Sequence, residues 1–180
     1  GRSNLTQTKA PSPSQYVKNI IKGFELAENL GIIINHQDLS LDLKKSYCGA
    51  NGTNLILTSD GYISSCSEIT ESSHPDSSTF IYGKIEGQKL KINENKLHIL
   101  KKRTVDNVIG CNHCFARYIC AGKCFIRSLN NTQSIFIADK STCTIQQELL
   151  KYLLARLLRG NINMESYDFL TKVVKFKTNA

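Results

Sequence analysis

The chain has 180 residues, 41% apolar and 21% charged, with seven cysteines and a formal net charge of +8. That length carries one domain, or one domain and a piece of another, and the apolar content is enough for a buried core, which excludes wholesale disorder. A basic balance raises nucleic acid, a membrane surface or an acidic partner. Here the cations are scattered, and the one dense run, Lys101-Lys102-Arg103, reads as a solvated helix end without the interleaved aromatics of single-strand binders.

Residues 1 to 14 are polar and carry Pro11 and Pro13, which suits a flexible lead-in or an expression remnant with a helix cap at Ser12 or Ser14. There is no apolar stretch of signal-peptide type at the start. Apolar residues then fall at Val17, Ile20, Ile21, Phe24, Ala27 and Leu30, the spacing of a helix, and Gly31 is placed to stop it. Ile32-Ile33-Ile34 reads as a short buried strand. Residues 15–47 therefore look like one α/β unit and a connector, the tail of a larger α/β domain.

Ser59-Asp60-Gly61 separates two β-prone runs, Thr53–Thr58 and Tyr62–Cys66, and predicts a hairpin that brings Cys48 and Cys66 to one end of the ribbon. Glu68 to Ser78 is a polar loop in which His74 is solvated, and Phe80-Ile81-Tyr82 is a short strand. Asn93 to Arg103 reads as a helix with Leu97 and Leu100 inward and His98 outward. A cysteine-rich loop follows, then a short helix from Phe125, a brief strand over Ser134–Ala138, and a helix from Cys143 to Arg159 capped by Thr142. Its wide leucine stripe is broken by Gln146, Gln147, Glu148, Lys151 and Arg156, so it is a core helix and no membrane span. Residues 164 to 176 predict a last, weaker helix.

Cys111, Cys114, Cys120 and Cys124 follow C-x2-C-x5-C-x3-C, with Cys48 and Cys66 upstream and Cys143 downstream. An odd number of cysteines without an export signal favours metal over a disulfide framework. One zinc would use the dense run and leave three thiols idle; two iron–sulfur clusters, one with an open iron, would use all seven. His113, inside the first knuckle, is poorly placed as a ligand. The spacing alone leaves both metals open. A zinc-stabilised, non-catalytic module that binds a protein partner is the alternative from another class.

The full order, C-x12-G-x4-C followed by C-x2-C-x5-C-x3-C and a final cysteine, with Gly61 as the glycine, resembles the SPASM domain of radical S-adenosylmethionine enzymes. Cys48-Gly49-Ala50, Thr58-Ser59-Asp60-Gly61 and Cys120-Ala121-Gly122-Lys123-Cys124 share the likeness, which extends from about Cys48 to Leu158. The resemblance implies two auxiliary [4Fe–4S] clusters, the first held by Cys48, Cys66 and Cys124 and the second by Cys111, Cys114, Cys120 and Cys143. Some relatives have a further cysteine soon after the first; this chain has none, so the resemblance leaves the fourth ligand of the first cluster open. No C-x3-C-x2-C for the cluster that cleaves S-adenosylmethionine occurs here. The chain then reads as the C-terminal part of a longer peptide or protein maturase, inactive alone, with S-adenosylmethionine and its cluster in the missing N-terminal part. The expected fold is α+β: a small hairpin with irregular cluster-binding loops and flanking helices, preceded by the last unit of a partial (β/α) barrel. The expected domains are the barrel end at 15–47, the SPASM domain at 48–160 and a terminal helix at 161–180. A peptide or protein substrate and an electron donor or acceptor protein are the expected partners, with no nucleic acid and no membrane, in the cytoplasm.

Overall fold

The computed structural model describes residues 10–32, 41–159, 167–168 and 173–174. The described chain is α+β, with several helices and a four-stranded antiparallel sheet. It divides into two compact units. One takes the residues up to Lys44, Tyr118–Cys120 and those from Asp139 onward; the other takes Lys45–Arg117 and Ala121–Ala138.

The first unit is built on two helices. Helix α1 (Pro13–Asn29) begins at the earlier of the two expected caps: Ser12 is the N-cap, its Oγ accepting from the Gln15 amide at 3.2 Å, and Pro13, expected in the lead-in, opens the first turn. Val17, Phe24 and Ala27 form its buried stripe. Leu30 ends it, and Gly31 follows at φ +66°, a left-handed stop that suits glycine. Ile32 lies outside any strand, and Ile33 and Ile34 fall outside the described residues.

The long C-terminal helix (Lys140–Leu158) packs along α1, with Leu149, Leu150 and Leu153 buried. Arg156 and Glu28 pair between the two at 2.6 Å. The helix starts three residues before the expected position. Asp139, not Thr142, is its N-cap, and its carboxylate accepts from the Ser141 and Thr142 amides and the Thr142 hydroxyl. Leu158 is 89% exposed, so the leucine stripe is buried along part of its length only. Where residues are described within 164–176, Tyr167–Asp168 and Val173–Val174 pair as antiparallel strands instead of extending a helix.

The second unit is organised on a meander of strands β1 (Ile56–Leu57), β2 (Tyr62–Ser64), β3 (Ile81–Glu86) and β4 (Lys89–Ile92), in that order. The predicted hairpin joins β1 to β2, with Leu57 opposite Ile63 and Gly61 at φ +82°. The expected strand over Phe80–Tyr82 differs: Phe80 closes a short helix, α2 (Ser77–Phe80), and β3 runs on through Gly83 to Glu86. A Cβ at Gly83 would stand 2.9 Å from the Lys91 carbonyl and 3.1 Å from Ile63 Cδ1, so only glycine lets the flanking strands close in. Helix α3 (Glu94–Lys102) is capped by Asn93, with Leu100 buried and His98 exposed. Ile63, Ile69, Phe80, Leu100, Phe125 and Ile126 anchor the core, onto which Cys66 and Cys124 pack.

Candidate metal centre

The predicted hairpin carries Cys66 just beyond β2. The Ser64 hydroxyl accepts from the Cys66 amide at 3.1 Å and donates to its carbonyl at 3.0 Å. Cys48 sits before a single 3-10 turn, Gly49–Asn51. Asn54 ties the two segments: its own amide donates to the Gly49 carbonyl at 2.9 Å and its carboxamide to the Ser65 carbonyl at 3.3 Å. Gly49 is small because Asn54 is there; a Cβ at 49 would fall inside the Asn54 carboxamide.

Cys124 arrives from the dense run as the N-cap of helix α4 (Phe125–Thr132), and its sulfur makes no capping hydrogen bond. Cys48 and Cys124 both lie within electrostatic reach of Cys66. Burial first, and then the neighbouring Cys124 and Cys48, hold the Cys66 thiol up at about 11.

The dense run is more ordered than a loop. Successive backbone bonds join Cys111 to Val108, Cys114 to Cys111 and Arg117 to Cys114, and a four-residue helical turn spans Arg117–Cys120. Cys111 is buried with Val105 and Val108. Its thiol is raised first by burial and then by Cys114, while Arg103 and Arg117 act in the opposite direction. Cys111 and Cys114 belong to the second unit, Cys120 and Cys143 to the first. Cys120 is buried, and Cys143 lies half-buried in the opening turn of the C-terminal helix, its amide bonded to the Asp139 carbonyl at 2.9 Å. His113 is exposed, and His74 Nδ1 accepts from the Asp76 amide at 3.1 Å.

Between Cys120 and Cys124, residues Ala121, Gly122 and Lys123 all have positive φ, at 51°, 71° and 56°. Two of them carry side chains that disfavour this region. Arg103 holds the turn. Far from being solvated, its side chain is fully buried; Nη1 donates to the Ala121 carbonyl at 3.2 Å, Nη2 to Gly122 at 2.8 Å and Nε to Ile135 at 2.8 Å. The guanidinium also stacks 4.3 Å from the Phe125 ring centre. Lys123, 8% exposed, lies 5.3 Å over the Tyr47 ring. Sequence reasoning missed Arg103 and Asn54. Nothing in Lys101-Lys102-Arg103 marks the third cation as inward, and the glycine beside Cys48 was the one trace of Asn54.

Chemically, the second unit presents Cys48 and Cys124 within electrostatic reach of Cys66, with a turn before Cys124 that carries the buried cation Lys123 and is held by the buried cation Arg103. Thiolates are soft ligands for iron–sulfur clusters and zinc, and buried positive charge suits a group made anionic by its sulfurs. By donor type alone the thiols suit such a centre. Among the described residues, no group of three His, Cys, Asp or Glu stands in position to hold a metal ion, and no helix is long and apolar enough to cross a membrane. No protein-family model matches the chain, and no curated protein or solved structure gives a significant match.

Proposed function

We propose that this chain is the auxiliary-cluster portion, of SPASM type, of a radical S-adenosylmethionine enzyme that modifies a peptide or protein. The observation that supports the reading is that Cys48 and Cys124 both act electrostatically on Cys66, and Cys114 on Cys111. Cys48, Cys66 and Cys124 would hold one [4Fe–4S] cluster, and Cys111, Cys114, Cys120 and Cys143 the other. Such clusters, when bound, supply one-electron transfer. This chain's residues do the rest: Ser64 and Asn54 fix the strand end that presents Cys66, and Arg103 holds the turn that precedes Cys124. Three thiols at the first site leave room for an outside ligand. A peptide or protein substrate, an electron-exchanging partner protein and a reducing, cytoplasmic setting belong to the same reading, as does an upstream part of the enzyme that binds S-adenosylmethionine.

Anaerobic reconstitution with ferrous iron and sulfide tests it. The expected result is about eight irons and eight sulfides per chain, as two four-iron clusters require, with absorbance near ~400 nm. One or two zinc ions per chain and no such absorbance would instead support the zinc-stabilised binding module. Cys143→Ala is expected to remove the second cluster and spare the first; loss of the Cys48-side cluster would overturn the ligand pairing.

A further inference from the structure

Arg103 reaches the backbone that leads to Cys124: its fork holds adjacent carbonyls in the left-handed turn before that thiol. Left-handed backbone at Ala121 and Lys123 is unfavourable by itself and persists only where neighbours over-determine it. Two bonds from one planar guanidinium to consecutive carbonyls do that, because a planar fork fixes direction as well as distance. The third bond, to Ile135, fixes the guanidinium in turn. The packing leaves no slack: a Cβ on Gly122 would stand 2.7 Å from Nη1, at a residue already at φ +71°.

We infer that Arg103 is a positioning residue for the Cys48/Cys66/Cys124 site: by clamping the Ala121 and Gly122 carbonyls it sets the turn that aims Cys124 at Cys66. This rests on the reading of that site as a cluster site. The clamp predicts two separable properties. The turn is closed in the metal-free chain, and the first cluster, but not the second, depends on it.

The test uses the full 180-residue chain. Trypsin cleavage after buried Lys123, measured in metal-free protein against cleavage after exposed Lys45, reads the turn alone. Arg103→Lys keeps a cation but lacks the fork, and is expected to raise that ratio at least ~10-fold, as expected when bonds of this kind to a strained turn are lost. After anaerobic loading with ferrous iron and sulfide, the same variant is expected to bind about half the wild-type iron and to retain the reduced-state spectrum of the cluster on Cys111, Cys114, Cys120 and Cys143. Gly122→Ala, which presses on the guanidinium from the turn, is expected to reproduce both effects. Wild-type cleavage and loading in both variants would overturn the inference while leaving a two-cluster wild type intact. So would loss of both clusters in step with melting of the chain, which marks a structural role only. A wild-type chain that takes up no iron–sulfur would overturn the parent reading and this inference with it, whatever the cleavage ratio.

Discussion

Replacing Asp139 by alanine should destabilise the C-terminal helix by an amount that can be worked from its contacts. Asp139 is 8% exposed and its carboxylate caps the helix through the Ser141 and Thr142 amides, both at 3.3 Å. Loss of an aspartate N-cap costs about 1 kcal/mol. The same carboxylate accepts from the hydroxyl of Thr142, which is 7% exposed; a buried hydroxyl left without that acceptor adds ~1 kcal/mol. The sum is about 2 kcal/mol, or a fall in Tm of 4–8 °C for a chain of this size. Denaturant unfolding followed by far-UV circular dichroism measures it. In a Thr142→Val background the hydroxyl is gone, so Asp139→Ala should cost only ~1 kcal/mol, a coupling of the same size. Asp139→Asn keeps an acceptor and should lie close to wild type. Strict additivity of the alanine and valine changes, or an alanine variant as stable as wild type, would refute the capping argument.

Three further outcomes follow from the structure. Asp60 accepts from the Thr58 hydroxyl at 2.7 Å and the Ser72 amide at 2.8 Å, and hydrogen bonds from Ser72 and then Thr58 hold its carboxyl at about 2, below the ordinary 3.8. A depressed carboxylate contributes stability that is complete above its unfolded value and is lost as pH falls towards the folded one; hairpin stability should therefore drop between pH 3.8 and about 2 in wild type, and Asp60→Asn should flatten that drop in an acid titration by circular dichroism. Cys66, with its thiol at about 11 against an ordinary 9.0, should be alkylated at pH 8 about 100-fold more slowly than an unhindered thiol, since the thiolate is the nucleophile; quantitative mass spectrometry of the metal-free chain measures this, and a rate equal to that of a model peptide would contradict the burial of Cys66. Gly83→Ala places a methyl against the Lys91 carbonyl and Ile63 and should cost roughly 1–3 kcal/mol by overpacking, read as an earlier denaturation midpoint.

What the sequence made legible was local. Ser12-Pro13 and Gly31 announced both ends of α1, and Asp60-Gly61 announced the hairpin, because caps and turns are written in neighbouring residues. The C-terminal helix was legible by its leucines, but its start was not: Asp139 and Thr142 are both good caps three residues apart, and burial of the Asp139–Thr142 contact decides between them. Strand β4 went unread because Lys89-Leu90-Lys91-Ile92 is short and half lysine; its pairing with β3, Glu86 opposite Lys89 across Gly87-Gln88, is what makes it a strand. Arg103 was misread for a stronger reason. Its acceptors are carbonyls at Ala121, Gly122 and Ile135, and a backbone carbonyl has no signature in sequence. The spacing of the cysteines located the thiols but not the buried cations beside them.

The wide spacing of Cys48, Cys66 and Cys124 along the chain has a consequence for the order of events during synthesis. Cys48 and Cys66 belong to one local stretch, joined through Asn54 and the hairpin, and such short-range contacts form early. Cys124 comes later in the chain, after the remaining strands and α3, and its approach must close a long loop before any thiol contact repays the entropy. A nascent chain therefore displays two thiols well before the third. Cys124 therefore joins this part of the fold late, after the hairpin, and a chain halted before it would carry a pair of thiols open to oxidation or adventitious metal.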